Sequence, residues 1–344
     1  SAPAKRPKPD NEPRNVNLTH LIRLMAIAIL LGVMLLAPEF GASTSLAGPI
    51  SVDAQPVALN AASPEQRTVG SLTYRGGLVI SSSAAEFGGL SALGVSADGD
   101  RMVALTDRGR RFASRLVYDE AGNLAGLRQT TLDTMANIDG ASLMAKSESD
   151  IESMSPGVEG EIIVAFERRH RIWRYLPGQI KPEPLRHPEE LSRLPANSGI
   201  EGLALLHDGR LLAIAEGPAE LPTTLAWASG LKNWSTMTYA LDGGFRPSGA
   251  ATLAKGDVLV LERRFTLRDG VAGRIRRIQR ANIVPGADLN PDLVAEFRDP
   301  VTVDNFEGIA VRQGPHGETL IYIVSDDNFN PLQRTLLMMF ELTR

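Results

Sequence analysis

The sequence predicts an all-β chain folded as a β-propeller, with five visible four-stranded repeats and a ring of five or six blades. Three observations predict it. Five segments share one grammar, each pairs a Gly/Asp-rich turn with an apolar run, and no long helical periodicity appears after residue 48.

The segments in order are "GGLSALGVSADGDRMVALTDRGRR" (88–111), "DIESMSPGVEGEIIVAFERRHR" (150–171), "SGIEGLALLHDGRLLAIAEG" (198–217), "PSGAATLAKGDVLVLERRF" (247–265) and "NFEGIAVRQGPHGETLIYIVSDDNF" (305–329). Each opens with a short strand and passes through a turn such as "ADGD" or "HDGR". Gly, Asp and Asn accept the positive φ that hairpin turns need. Each then enters a nearly pure apolar run, "MVAL", "IIVAF", "LLAIA", "VLVL" or "LIYIV", which reads as a strand buried on both faces.

Alternating third strands follow: "SRLVYD", "RIWRYL", "GRIRRIQR" and "TLLMMFEL", with a weaker fourth such as "DLVAEF". Four antiparallel strands at a spacing of roughly 45–60 residues are the propeller pattern. The ring closes if "GSLTYRGGLVIS" (70–81) supplies the missing strand beside "TLLMMFELTR". A sixth blade has room in the irregular stretch 112–149. Trp227, Trp234 and Tyr239 lie in a Gly/Ser-containing insertion that reads as a packing cluster or as a loop over a pocket. The expected organisation is a leader over 1–47, a linker over 48–65 and the propeller over 66–344.

In a propeller the innermost strand of each blade lines the central channel. Glu152, Glu201 and Glu307 fall at equivalent places in three repeats, with Ser91 and Ser248 in the other two. Carboxylates gathered at one mouth repel each other unless a cation or arginines intervene. These three are therefore the candidate catalytic or metal-binding acids. The apolar runs end at Asp107, Glu167, Glu216, Glu262 and Asp326. Calcium takes six to eight oxygens from carboxylates, amides and carbonyls. "SDDNFN" is dense in them, so Asp326, Asp327 and Asn328 join Glu216 and Asp107 as metal candidates. Arginines follow the acids, and guanidinium forks match carboxylate and phosphate alike. Glu167, Arg168, Glu262, Arg263 and Arg334 are thus candidate ligand-binding residues. The bland alternative is that the same acids bond backbone amides or arginines and hold blades together.

The N-terminus differs in kind. Residues 1–23 are polar with five basic side chains, Leu24 to Ala37 carries no charge, and "GASTSLAGP" follows. This is the pattern of a secretory signal, and fourteen apolar residues fall short of the about 20 a spanning helix needs. The expectation is a periplasmic or secreted protein, with an uncleaved inner-membrane anchor facing the periplasm as the alternative. Apolar content of 43%, charge of 22% and a net charge of −4 are ordinary for a globular protein and give no sign of nucleic-acid binding. With no cysteine, disulfides, thiolate nucleophiles and zinc-thiolate sites are excluded. No G-x-S-x-G elbow, P-loop, dinucleotide fingerprint or H-E-x-x-H occurs.

The set "FGGLSAL", "TDRGR", "DIESM", "GIEGLAL", "AIAEG", "LVLERRF", "DNFEGIAV" and "VSDDNFNPLQRTLLMMFEL" resembles the esterase-like-activity-of-phytase family over residues 70–344, most specifically in "DNFEG…SDDNF…QRT". The resemblance implies a bacterial extracytoplasmic, phytase-like propeller that hydrolyses a phosphoester or carboxylic ester with calcium as cofactor, acting on a small anionic or ester substrate. Propeller phytases line their cleft with lysine, whereas here arginine takes its place. The alternatives are a non-catalytic envelope propeller that binds a ligand or protein partner, and a lactonase-like propeller enzyme.

Overall fold

The computed structural model describes residues 48–218 and 220–343. The leader read over 1–47, with its apolar run Leu24 to Ala37, lies outside the described residues. The repeats become five blades numbered here in chain order, each an antiparallel sheet except that blade 3 adds a short parallel strand, Asp288–Leu289, at its outer edge. Inner and second strands are Leu90–Val95 and Arg101–Thr106 in blade 1, Ile151–Pro156 and Ile162–Phe166 in blade 2, and Ile200–Leu205 and Leu211–Ala215 in blade 3. They are Arg246–Thr252 and Val258–Thr266 in blade 4, and Phe306–Gln313 and Thr319–Ser325 in blade 5. The inner strands contact one another in the cyclic order 1-2-3-4-5-1. Gly99, Gly209, Gly256 and Gly317 in the hairpin turns have φ of 76°, 82°, 94° and 84°, a region closed to most side chains.

The apolar runs are buried on both faces because each second strand feeds two wedges of core. In blade 3, Leu212 and Ile214 pack toward blade 4 while Leu211, Ala213 and Ala215 pack toward blade 2. Five such wedges, one per blade interface, make up the core.

Closure is as expected: Leu72–Ser81 pairs with the C-terminal strand Thr335–Leu342 in blade 5. Among the described residues there are five blades and no sixth. Residues 112–149 hold most of blade 1's third strand (Arg110–Tyr118), its fourth (Leu124–Thr134) and a single-turn helix, Lys146–Ser149. The expected linker over 48–65 is instead woven into the ring. Gly48–Pro49 pairs with the outer strand of blade 1, Asp53–Pro56 pairs with Leu72–Ser81 of blade 5, and Asn60 bridges to Val301. The aromatic insertion is the outer hairpin of blade 3, Thr223–Ser229 and Trp234–Ala240. Trp227 and Tyr239 are fully buried in the two wedges that flank that blade, and Trp234 donates to the Arg186 carbonyl.

Candidate functional site at the channel mouth

Every inner strand carries a β-bulge within two residues of its start, at Ser91, Glu152, Glu201, Ser248 and Glu307. A bulge inserts one unpaired residue and re-aims its side chain. The serines spend their hydroxyls on the next blade: Ser91 donates to the Ile151 carbonyl at 2.6 Å and Ser248 to the Phe306 carbonyl at 2.8 Å. Ser153, beside a bulge, does the same to the Ile200 carbonyl at 2.6 Å. The three glutamates are left for the mouth.

Two more positions per blade complete the site. On the second strand, the residue that follows the partner of the residue just before the bulge is Asp107, Glu167, Glu216, Arg263 and Asp326 in turn. The residue opposite it, just before the bulged segment, is Gly89, Asp150, Gly199, Arg246 and Asn305. Blade 4 corrects the sequence reading. Pro247 pairs with Glu262 and Arg246 with Arg263, so Arg263 and not Glu262 is the equivalent of the acids. A one-residue slip moves a side chain to the other face of a strand. Glu262 accordingly lies between blades 3 and 4, fully buried, with Arg274, Arg276 and the Tyr239 hydroxyl on its oxygens. It is a structural ion-pair centre away from the mouth.

Blade 2 places three acids together. Asp150, Glu152 and Glu167 each offer an oxygen within 4.8 Å of the others, a set that could hold a metal ion. The donors are all carboxylate oxygens, which suit a hard cation. Glu152 makes no hydrogen bond or ion pair among the described residues, so it has an oxygen to give. Asp150 is held at 2.5 Å by both Lys146 and Arg168, charges that a bound cation would compete with. Glu167 accepts from the Gly199 amide at 3.0 Å, and a Cβ on Gly199 would lie 3.1 Å from its Cγ. Burial, with Asp150 adding to it, pushes the Glu167 carboxyl up to about 7. Glu152 is pushed well above its ordinary value by burial and then by the Glu201 charge.

Glu201 is 3% exposed and has neither hydrogen bond nor ion pair among the described residues. Burial raises its pKa well above the usual value, and Glu307 adds to it. Glu307 is held by Arg263 Nε at 2.9 Å and by Asn305 Nδ2 at 2.8 Å. Burial raises it while Arg263 pulls the other way. Glu216 Oε1 lies 3.2 Å from Arg246 and 3.7 Å from Arg263.

In the blade 5 loop one oxygen of each aspartate is taken by backbone amides. Asp326 is mostly enclosed, its Oδ1 accepts from the Asn328 amide at 2.6 Å, and burial carries its carboxyl up to about 7. Asp327 Oδ1 accepts from the Gly89 and Phe329 amides at 3.0 and 3.1 Å and ties the loop to blade 1. Asn328 and Phe329 are both left-handed, with φ of 48° and 51°, and the Arg108 guanidinium covers the Phe329 ring at 3.3 Å. Arg334 pairs with Asp304 at 3.2 Å. Asp107 pairs with Lys146 at 2.6 Å, while its other oxygen is buried without a hydrogen bond.

Sequence reasoning missed Asp150, Lys146, Arg246 and Asn305. Asp150 had a signal: it stands two residues before Glu152, the spacing that returns a side chain to one face of a strand. Arg263 was read as a ligand candidate, and its equivalence to the acids had a signal too: it stands fifteen residues after the bulge residue Ser248, as Glu167 and Glu216 do after theirs.

A phytase-like family model described as esterase-like activity of phytase matches residues 85–329. The chain belongs to this family. Among solved structures it is similar to a protein of unknown function from Dyadobacter fermentans, at 11% identity and TM-score 0.43, covering 87% of this chain and 96% of that one. It is also similar to a putative gluconolactonase, at 14% and 0.41, covering 89% and 96%. Virginiamycin B lyase from Staphylococcus aureus, in a catalytically inactive form, is similar at 12% and 0.38, covering 86% and 100%. No curated protein matches the chain.

Proposed function

We propose, from membership of this family and the chemistry of the mouth, that the protein is a cation-dependent hydrolase of a carboxylic ester or phosphoester that works in the periplasm or outside the cell. The observation that carries the reading is Glu201, a buried carboxyl with no partner among the described residues, in a mouth crowded with other acids. Asp150, Glu152 and Glu167 are the residues that would hold a hard cation, and calcium suits both the oxygen donors and the compartment. When bound, such a cation supplies positive charge that polarises an ester oxygen.

The chain's own residues supply the rest. Two carboxyls in unlike environments divide acid and base work. Glu201, without a counter-charge, keeps a proton on its carboxyl at higher pH and can donate it to a leaving oxygen. Glu307, held by Arg263 and Asn305, is the readier to ionise and can take a proton from water. Lys146 and Arg168 hold Asp150 toward the trio.

The many internal ion pairs at the mouth also favour a second reading, a non-catalytic envelope propeller that binds a ligand there. One experiment separates them. Thermal stability is followed with calcium added or chelated, and turnover is measured on a panel of p-nitrophenyl phosphates and carboxylic esters. Calcium-dependent stabilisation with turnover lost in Glu201→Gln supports the hydrolase. A folded sample with no metal response and no turnover rejects it.

A further inference from the structure

We propose that Arg246 and Arg263 form a fork for one anionic group of the substrate, and that the acids around them turn polyanions away. This deepens the hydrolase reading and rests on it only for the word substrate. Two arginines face each other across the paired strands of blade 4, where every other blade presents acids, glycine or asparagine. Their side chains are 38% and 35% exposed, so both reach the open mouth. Carboxylates pin them from one side. Glu216 Oε1 touches both, and Glu307 takes Nε of Arg263. Arg246 Nε and Nη2 and Arg263 Nη1 have no partner among the described residues. Two guanidiniums with free N–H groups, oriented by carboxylates behind them, match a planar carboxylate or a phosphate face.

The surroundings set the limit on charge. The three positions per blade carry eight acids against these two arginines. Lys146 and Arg168 offset two of the acids, and one divalent cation offsets two more. With Glu201 protonated, seven carboxylates stand against six positive charges, and the mouth stays net negative. A single anionic group can reach the fork, whereas further phosphates on the same ligand would meet the carboxylates beside it, Glu216 and Glu307. Like charges at such range are a repulsive device of specificity. The class singled out is an ester that carries one phosphate or one carboxylate, and an inositol polyphosphate is disfavoured.

The test uses the full protein in calcium, with Arg246→Gln, Arg246→Lys and wild type compared after each is shown folded by its thermal melt. Binding of phenylphosphonate and of benzoate, neither of which is an ester, is measured by calorimetry. KM and kcat are measured on p-nitrophenyl phosphate, on the mono-p-nitrophenyl ester of succinic acid and on neutral p-nitrophenyl acetate. For Arg246→Gln, loss of a charge-assisted contact should weaken anion binding and raise KM for charged esters about tenfold or more, with KM for the acetate unchanged. Arg246→Lys should recover part of the loss, because charge returns without the fork. Phenylphosphonate and benzoate tell phosphate preference from carboxylate preference. An equal change for the neutral ester, unchanged anion binding in Arg246→Gln, or inositol hexakisphosphate binding more tightly than phenylphosphonate would overturn the proposal. Arg246-dependent anion binding without any ester turnover would leave the fork standing and remove the hydrolase.

Discussion

Blade 2 and blade 4 present the same backbone to the channel and opposite charge. At the three equivalent positions blade 2 has Asp150, Glu152 and Glu167, and blade 4 has Arg246, Ser248 and Arg263. The bulge and the hairpin register decide where a side chain points, and they are common to both. What the side chains then do depends on company. The blade 4 arginines are anchored by acids of the neighbouring blades, whereas Glu152 has no anchor among the described residues. Charge at blade 4 therefore holds the ring together, and charge at blade 2 waits for something to neutralise it.

That contrast gives opposite signs for charge removal. Arg263→Ala leaves Glu307 only Asn305 and Glu216 only Arg246, and should cost about 2–3 kcal/mol in chemical denaturation, below the full value for a buried pair because Arg263 is a third exposed. A second change, Glu307→Gln, should recover part of it; a neutral Arg263→Ala would break the comparison. The next effect is with pH. Burial raises Glu167 and Asp326 to about 7, above their unfolded values. Groups raised in the folded state favour folding while protonated. Their contribution is complete below the unfolded pKa and is lost as pH rises through about 7. Chelator-treated protein should thus melt progressively lower from pH 5 to pH 8, and saturating calcium should flatten the profile. Third, Glu152→Gln should raise the melting temperature of chelated protein while weakening calcium binding about tenfold by titration, since ligand charge sets affinity in such sites. Smallest, Ser248→Ala should cost about 1 kcal/mol for one inter-blade hydrogen bond, with calcium affinity unchanged.

The repeat was legible because its determinants are local. Apolar runs, turn glycines and the Glu-Gly or Glu-Ser pairs recur with little change, and closure by residues 70–81 follows from an unpaired strand. The three bulge glutamates could be placed for the same reason. What escaped depended on register. "VLVLERRF" offers an acid and an arginine side by side, and only the pairing of Pro247 with Glu262 tells which one faces the channel. Composition marked the oxygen-rich "SDDNFN" as a metal candidate, but it could not show that one oxygen of each aspartate caps the loop's own backbone or ties blade 5 to blade 1. Asp150 joins the trio through strand pairing that composition does not reveal.

The way residues 48–81 are woven in has a consequence for how the molecule opens. Leu72–Ser81 lies inside the blade 5 sheet, between Asp53–Pro56 and the C-terminal strand, so the join of the ring is not a free edge. Local openings begin where backbone is held on one side only. Amide hydrogens of Leu72–Ser81 should then exchange as slowly as those of the second strands, in one cooperative unit with the chain's last strand. The three-residue outer strand of blade 2, Glu183–Leu185, should exchange first. The seam of this ring is expected to be among its slowest doors.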